Sequence, residues 1–271
     1  MTQTKTGGVP GPSEVREVAL EAALAAGEVL KAGYGKVQQL RFKGEVDLVT
    51  EVDLRSEQAI VQIIRDRFPG HRILAEEGSA GGDDARHRWI VDPLDGTTNY
   101  ATGLPSFCVS IAYEQDGEVT LGAIYDPLRD EMFLAQRGRG ATLNGRRLSV
   151  STTDVLLNGL LATGFPYDRA LMPRSLRQFA LFSTRSRAVR RLGSAALDSA
   201  YVAAGRLDGY WEATICPWDI AAGWLMVLEA GGRVSDLGGN PFTFERGEVL
   251  ATNGPLHPAM LGTLAEAEAG S

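Results

Sequence analysis

Residues 89 to 100 read Trp89-Ile-Val-Asp-Pro-Leu-Asp-Gly-Thr-Thr-Asn-Tyr100 and place two carboxylates, Asp92 and Asp95, at the end of an apolar strand. Pro93 fixes a turn between the acids, so both carboxylates should face one small volume. Carboxylate oxygens are hard ligands that favour Mg2+ over zinc or copper. The Gly-Thr step that follows can open a helix, whose first N–H groups attract an anion. The stretch therefore predicts a site that holds cations and a phosphate together.

An ordinary turn is the alternative for an isolated Asp-x-x-Asp pair, because Asp, Pro and Gly are common turn residues. Acids elsewhere in the chain argue against it. Glu76-Glu77 follow a predicted strand, and ligand sites in α/β sheets lie at such strand ends. Asp47 precedes one predicted helix and Asp219 lies in the first turn of another, where each alone would be explained by the helix dipole. Glu212 follows a short strand, and the five segments together favour a functional site.

The composition is that of an ordinary globular protein and excludes several classes. Hydrophobic residues make up 44% and charged residues 23% of the 271 residues, and no apolar run approaches a membrane span. A net charge of -7 argues against a nucleic-acid-binding surface, which needs clustered Lys and Arg. We therefore expect a cytoplasmic protein without nucleic-acid or membrane partners.

Histidine and cysteine usage narrows the chemistry further. The three histidines show no zinc-site or catalytic-triad spacing, so a zinc hydrolase and a Ser-His-Asp enzyme are poorly supported. Cys108 and Cys216 are far apart and each lies in an apolar context. Reduced, buried thiols are favoured, although the sequence leaves a disulfide open.

The first half is predicted to contain two helices followed by short strands. A helix is expected from Ser13, as N-cap, to Leu30, and a capping box at Thr50 to Asp53 opens a second helix that ends before Pro69-Gly70. These two helices should pack together. Hairpin turns are expected at Gln115 to Gly117 and at Asn144-Gly145. The predicted strands are Ile73 to Ala75, Trp89 to Val91, Phe107 to Tyr113, Val119 to Tyr125 and Glu131 to Ala135.

The second half alternates strands and helices, which predicts a layered α/β fold (α+β layered). Strands are expected near 160–162, 188–192, 209–211, 233–235 and 249–251, with helices over 194–204, over 217–230 and from His257. Met1 to Pro12 is rich in Thr, Gly and Pro and predicts a disordered tail. Residues 13–271 should form a single domain, with halves of about 13–150 and 151–271 and a cleft between them.

The chain resembles the inositol monophosphatase family, the Mg2+-dependent, lithium-sensitive phosphatases, over roughly Lys36 to Asn253. Trp89 to Thr102 resembles the first family motif, and Trp218-Asp-Ile-Ala-Ala-Gly through Gly231-Gly232 resembles the second. Asp-Leu-Val-Thr and Glu-Glu lie upstream in the expected order. The resemblance implies an alternating α-β-α-β-α sandwich of the inositol monophosphatase / fructose-1,6-bisphosphatase type, usually as a homodimer.

By the same resemblance the site would bind Mg2+, about two to three ions in all. Glu76, Asp92 and the carbonyl of Leu94 resemble the ligands of the first ion. Asp92, Asp95 and Asp219 resemble the ligands of the second, and a third, weaker ion would share Glu76.

The remaining family positions concern catalysis and substrate. Thr97, backed by Asp47, resembles the pair that orients the attacking water, so Thr97, Asp47 and Glu76 form the implied catalytic set. The phosphate would lie on the backbone amides of Gly96 and Thr97. The implied substrate-binding residues are Asp95, Gly96, Thr97, Gly193, Ser194, Ala195, Glu212 and Asp219.

The implied activity is the hydrolysis of a polyol phosphate monoester, with myo-inositol 1-phosphate as the expected substrate. The alternative is a related phosphatase acting on histidinol phosphate, fructose 1,6-bisphosphate or a 3'-phosphoadenosine nucleotide. Glu212 favours inositol, because a carboxylate accepts hydrogen bonds from two vicinal hydroxyls. A non-catalytic binding protein that keeps the fold is the alternative from another class. The residues whose loss would favour it are all present: Glu76, Asp92, Asp95, Thr97 and Asp219.

Overall fold

A computed structural model describes residues 11–36, 40–42 and 48–269. Asp47, predicted to support Thr97, lies outside these residues, as does most of the predicted tail. The described helices are α1 (Pro12–Gly33), α2 (Glu51–Arg67), α3 (Thr97–Thr102), α4 (Met172–Arg185), α5 (Ala195–Ala203), α6 (Pro217–Glu229) and α7 (His257–Ala269).

Two larger sheets and one small strand pair contain the described strands. The strands are β1 (Leu40–Phe42), β2 (Leu48–Thr50), β3 (His71–Ala75), β4 (Ser79–Ala80), β5 (Asp84–Asp95), β6 (Cys108–Gln115), β7 (Glu118–Asp126), β8 (Glu131–Gln136), β9 (Gly140–Leu143), β10 (Arg146–Arg147), β11 (Leu160–Thr163), β12 (Ala188–Arg190), β13 (Gly209–Glu212), β14 (Arg233–Ser235) and β15 (Val249–Thr252). The first sheet has the order β10-β9-β8-β7-β6-β5-β3-β4, the second β12-β11-β13-β15-β14, and β1 pairs with β2.

Helices cover both faces of the first sheet. Trp89 and Val91 of β5 pack in the same core as α1 and α2, whereas Ile90 packs in the core that contains α5 and α6. Successive strand residues point to opposite faces, so a strand buried on both sides needs a continuous apolar run. The apolar run before Asp92 follows from this placement.

The second sheet is covered on both faces in the same way. Leu250 packs with Phe182 of α4 and Met260 of α7, whereas Val249 and Ala251 face the core shared with α5 and α6. The layer order is therefore α1/α2, first sheet, α5/α6, second sheet, α4/α7. This order confirms the predicted α-β-α-β-α sandwich.

Both predicted hairpin turns are confirmed. Asp116 and Gly117 join β6 to β7 with φ of 53° and 83°, and Asn144 and Gly145 join β9 to β10 with φ of 48° and 78°. Two successive positive φ values are the geometry of a type I′ turn, which Asp-Gly and Asn-Gly adopt readily.

Two features of the helices differ from the sequence-based expectations. The predicted N-cap Ser13 is wrong, because α1 begins at Pro12 and its cap is Gly11. Proline suits the first helical position, since it has no N–H to leave unpaired. Helix α4 was not predicted at all. Its buried residues are Ser175, Gln178 and Phe182, so two of the three are polar. Within the described ranges, no helix is both long and apolar enough to cross a bilayer.

Candidate active site

Strand pairing brings the first two acids together. β3 and β5 run parallel with Ala75 beside Val91, so Glu76 and Asp92 come next at the same sheet edge. The Glu76 N–H donates to the Val91 carbonyl over 3.2 Å. The carboxyl ends of adjacent parallel strands are where α/β sheets bind ligands.

A bulge in β5 adds Asp95 to the same volume. Asp92 pairs with Ser110 and Asp95 with Cys108, so three steps along β5 match two along β6. Residues three apart in a regular strand point to opposite faces, and one extra residue restores the common face. The Leu94 N–H donates to Asp92 Oδ1 over 2.9 Å, which fixes the turn between the acids.

The chain then turns sharply into α3 at a position that only glycine suits. Gly96 has φ of 95°, and a Cβ there would lie 2.9 Å from the Ser106 carbonyl oxygen. Thr97 Oγ1 follows at once, 3.0 Å from both Asp53 Oδ1 and the Leu94 carbonyl oxygen. The turn therefore places a hydroxyl beside a proposed metal-ligating carbonyl.

Asp53 is a site residue that sequence reasoning missed. It lies on α2, is fully buried, and accepts the hydrogen bond from Thr97. From the sequence, Asp53 is predicted only to end a capping box. A usable signal was present, because Asp53 falls on the same helix stripe as buried Ile60 and Ile64. An acid on an apolar stripe requires a polar partner.

Asp95 joins the two halves of the chain. Its Oδ2 accepts from Ser194 Oγ over 2.6 Å and from the Ala196 N–H over 2.7 Å, at the start of α5. Burial raises the pKa of Asp95, and these hydrogen bonds oppose the rise. These bonds place residues 193–195 beside the acids. The Ser194 hydroxyl, which was expected to bind substrate, donates to Asp95.

The acids oppose one another's ionisation. Burial, followed by Glu76, Asp95 and Asp219, raises the pKa of Asp92 well above its usual value. Burial and the neighbouring Asp95 do the same to the pKa of Asp219, although the Cys216 N–H donates to its Oδ2 over 2.9 Å. Hard-oxygen acids that repel one another in a buried place are suited to divalent cations, which would keep them ionised. The donor set therefore fits Mg2+.

Glu212, the last residue of β13, also lines the site. Tyr210 Oη donates to Glu212 Oε2 over 2.5 Å, and burial raises the pKa of Glu212 to about 7. Gly164 packs so closely on this carboxylate that a Cβ would overlap it. The carboxylate is therefore held from two sides.

One cavity of about 270 Å³ unites these groups. Its lining takes residues from both halves of the chain. All predicted site residues that the structure describes are present: Glu76, Asp92, Leu94, Asp95, Gly96, Thr97, Gly193, Ser194, Ala195, Glu212 and Asp219. Asp198 and Arg191 also line it and were not predicted.

The cysteines differ in environment, contrary to the expectation that both are buried. Cys108 is buried 3.8 Å from Asp95 Oδ2, and burial raises the pKa of its thiol well above the usual value. Cys216 is exposed, because it caps α6 at the cavity wall. Cys108 and Cys216 are not joined by a disulfide.

A second group with metal-like spacing lies at the opposite ends of β3 and β5. His71, Asp84 and His87 have ligand atoms within 4.8 Å of one another. The Trp89 indole donates to His71 Nδ1 over 3.1 Å. Because an indole N–H only donates, neutral His71 carries its proton on Nε2, which leaves no lone pair for a metal. His71 is therefore not expected to ligate a metal, and the cluster lies apart from the acidic site at the other end of the strands.

The histidine cluster predicts loss of stability in mild acid. Burial and then His87 lower the pKa of His71 to about 4, whereas an unfolded histidine titrates near 6.5. The unfolded state thus binds a proton that the folded state rejects, so stability is full above pH 6.5 and falls as pH decreases towards 4. Between pH 7.5 and 5 the loss should be about 2 kcal/mol. Urea unfolding of wild type and His71→Gln at both pH values measures it, since glutamine retains an acceptor for Trp89. Equal pH dependence in the two proteins would disprove the assignment.

Comparison with known proteins gives a consistent result. The sequence model of the inositol monophosphatase family matches residues 12–269. An inositol-1-monophosphatase of Synechocystis is 47% identical over 260 residues, covering 94% of this chain and 91% of that protein. The Nus factor SuhB of Pseudomonas aeruginosa is 44% identical over 255 residues, covering 91% and 94%. The crystal structure of extragenic suppressor protein suhB from Bartonella henselae is similar with a TM-score of 0.90 at 42% identity, covering 92% of this chain and 98% of that one.

Proposed function

We propose that this chain, which belongs to the inositol monophosphatase family, hydrolyses the phosphate monoester of a polyol. The expected substrate is myo-inositol 1-phosphate. Membership makes the protein a phosphoric monoester hydrolase that acts on small phosphorylated compounds. The observation that carries the proposal is the shared cavity. Clustered acids and the Gly96 turn form its phosphate side, and Glu212 forms a polar wall suited to an alcohol with several hydroxyls.

The proposed cofactor is Mg2+, about two to three ions per site. Glu76, Asp92, Asp95, Asp219 and the Leu94 carbonyl would hold these ions. Bound Mg2+ supplies positive charge that lowers the pKa of a water and neutralises charge on the phosphate and the leaving alkoxide.

The chain's own groups would position the attacking water. Thr97 Oγ1 donates its proton towards Asp53 or Leu94, so its lone pairs are free to accept a hydrogen bond from a water. The first N–H groups of α3 have no partner within the helix and are suited to phosphate oxygens. These groups would orient water and phosphorus for in-line attack, which lowers the barrier without any covalent intermediate.

A substrate panel tests this function. Phosphate release would be measured with and without Mg2+ on myo-inositol 1-phosphate, fructose 1,6-bisphosphate, histidinol phosphate and a 3'-phosphoadenosine nucleotide. Inositol 1-phosphate should give the highest kcat/KM, and chelation should abolish release. A tenfold preference for another ester, roughly 1.4 kcal/mol, would replace inositol as the substrate.

Glu212→Gln should weaken use of inositol 1-phosphate and leave p-nitrophenyl phosphate nearly unaffected, because Glu212 is assigned to the alcohol and not to the phosphate or the metals. Losing a charged acceptor at a half-buried site costs on the order of 1 to 3 kcal/mol, about 5- to 150-fold in kcat/KM. Tyr210→Phe removes the hydroxyl that holds Glu212 and should give a smaller loss in the same direction. Equal losses on both substrates would instead assign Glu212 to the phosphate side.

Lithium should inhibit at millimolar concentration, and most strongly at high substrate. The expected reason is that lithium competes for the cation site formed by Asp92, Asp95 and Asp219 while phosphate is still bound. Initial rates across a substrate series with and without LiCl measure this. Inhibition that disappears as the substrate concentration rises would contradict binding of lithium while phosphate is still bound.

The homodimer and the cytoplasmic location also stay predictions.

A further inference from the structure

Asp198 is a buried carboxyl group in the cavity to which no role has been assigned above. It lies in the first turn of α5 and is 1% exposed. Its Oδ1 is enclosed and has no hydrogen-bond partner among the described residues. The residue lines the same cavity as Asp95 and Glu212. A buried carboxyl oxygen without a partner costs stability unless something else supplies the missing hydrogen bond.

The groups around Asp198 do not supply that bond. Its charged neighbours are the carboxylates of Asp95 and Glu212 and the exposed guanidinium of Arg191. Two neighbouring acids make the position worse for a carboxylate, and burial and these acids raise the pKa of Asp198 well above its usual value. With the described residues excluded, a molecule that enters the cavity is a source of the missing partner.

One of the two Glu212 oxygens is already engaged by the protein. Its Oε2 already accepts from Tyr210 Oη, whereas its Oε1 has no hydrogen-bond partner within the described ranges. A polyol presents several hydroxyls, and each both donates and accepts. A second polar group beside Glu212 would therefore add a partner for a further hydroxyl.

We infer that Asp198 is a specificity-determining residue that binds a hydroxyl of the substrate, beside Glu212, and so selects phosphate esters of polyols over esters of simple alcohols. The inference rests on the proposed function and names a further residue for its alcohol side. Because a hydroxyl is donor and acceptor, it satisfies Asp198 in either protonation state.

A helix-stabilising role does not account for this residue. Acids in the first turn of a helix stabilise the N-terminus through the dipole or by accepting backbone N–H bonds. At α5 that role is filled by Ser194, which accepts from the Leu197 N–H, and by Asp95, which accepts from the Ala196 N–H. Asp198 Oδ1 accepts no such bond from the residues that the structure describes.

The test compares Asp198→Leu, Asp198→Asn and the control Ser199→Ala. Ser199 is the next residue and is fully buried, and its Oγ also has no hydrogen-bond partner in the described part of the chain. It packs against Gly223 and does not line the cavity. Two quantities are measured in Mg2+: kcat/KM on inositol 1-phosphate and on p-nitrophenyl phosphate, and the Ki of inositol 1-phosphate against p-nitrophenyl phosphate hydrolysis.

The leucine variant should lose about 10- to 100-fold in kcat/KM on inositol 1-phosphate, mainly through KM, with a matching rise in Ki. Its kcat/KM on p-nitrophenyl phosphate should stay within about twofold of wild type. Ser199→Ala should leave kcat/KM unchanged on both substrates. The asparagine variant retains a hydrogen-bonding oxygen and should recover part of the loss. If the leucine variant does not fold, a selective loss of at least about threefold in the asparagine variant supports the inference.

Equal losses on both substrates, or an unchanged Ki, would overturn the role of Asp198. Failure of the proposed function is recognised from the wild-type protein and not from the variants. A wild-type protein that hydrolyses p-nitrophenyl phosphate but neither hydrolyses nor binds inositol 1-phosphate overturns both proposals. If the Ki of inositol 1-phosphate is the same for wild type and for the leucine variant, the inference about Asp198 is overturned and the proposed function is not.

Discussion

Asp92→Asn should lower kcat at saturating Mg2+ by about a thousandfold or more, roughly 4 kcal/mol in the barrier, while the fold is retained. Asp92 is the acid that Glu76, Asp95 and Asp219 all influence, so its charge is the one most central to cation binding. An asparagine keeps the shape and the acceptor for the Leu94 N–H but removes that charge. Without Mg2+ the variant should be at least as stable as wild type, because it relieves repulsion among the acids.

Asp126→Asn is the matched control. Asp126 is equally buried, but its carboxylate accepts from two backbone N–H groups and pairs with Arg129 at the end of β7. Its amide variant should lose stability, about 1 to 3 kcal/mol, and retain kcat. Phosphate-release kinetics and thermal unfolding, each with and without Mg2+, separate the two. An Asp92 variant that keeps more than about a tenth of wild-type kcat would refute the central role.

Much of the fold followed from local signals. Apolar runs, Asp-Gly and Asn-Gly turns and helix ends are features of short stretches, and they located most elements. Helix α4 was missed although it is amphipathic, and two of its three buried residues, Ser175 and Gln178, are polar. Its polar interior depends on packing against α7, which no local pattern encodes.

The site residues also fall into two groups, those predictable from a short stretch of sequence and those brought together by tertiary contacts. Asp92, Asp95 and Thr97 are contiguous, so one strand end and one turn suffice to predict their meeting. Asp53 lies 44 positions before Thr97, and Asp198 is close to Glu212 only because α5 packs beside β13. Single acids on helix faces acquire a role through tertiary contacts, which explains why both were missed.

Thr97→Ala should lower kcat by about 100- to 1000-fold with little change in KM. Orientation of the water matters in the transition state and adds little to ground-state binding. The Thr97 hydroxyl contacts both Asp53 and the Leu94 carbonyl, so alanine removes the group that aligns the water relative to the acids. Thr102→Ala, at the end of the same helix with its hydroxyl on the Thr98 carbonyl, should leave kcat unchanged.

The partner of Thr97 is decided by a double-mutant comparison. The structure gives Asp53 as the acceptor of its hydroxyl, whereas the family resemblance assigns Asp47, which lies outside the described residues. If Asp53 orients the hydroxyl, Asp53→Asn should lower kcat at least tenfold, about 1.4 kcal/mol, and add little further loss to Thr97→Ala. Asp47→Asn in the Thr97→Ala background tests the other assignment in the same way. Additive losses for Asp53 together with non-additive losses for Asp47 would return the role to Asp47. Non-additivity of both would mean that the two acids act through one hydroxyl, because effects on a shared group cannot be counted twice.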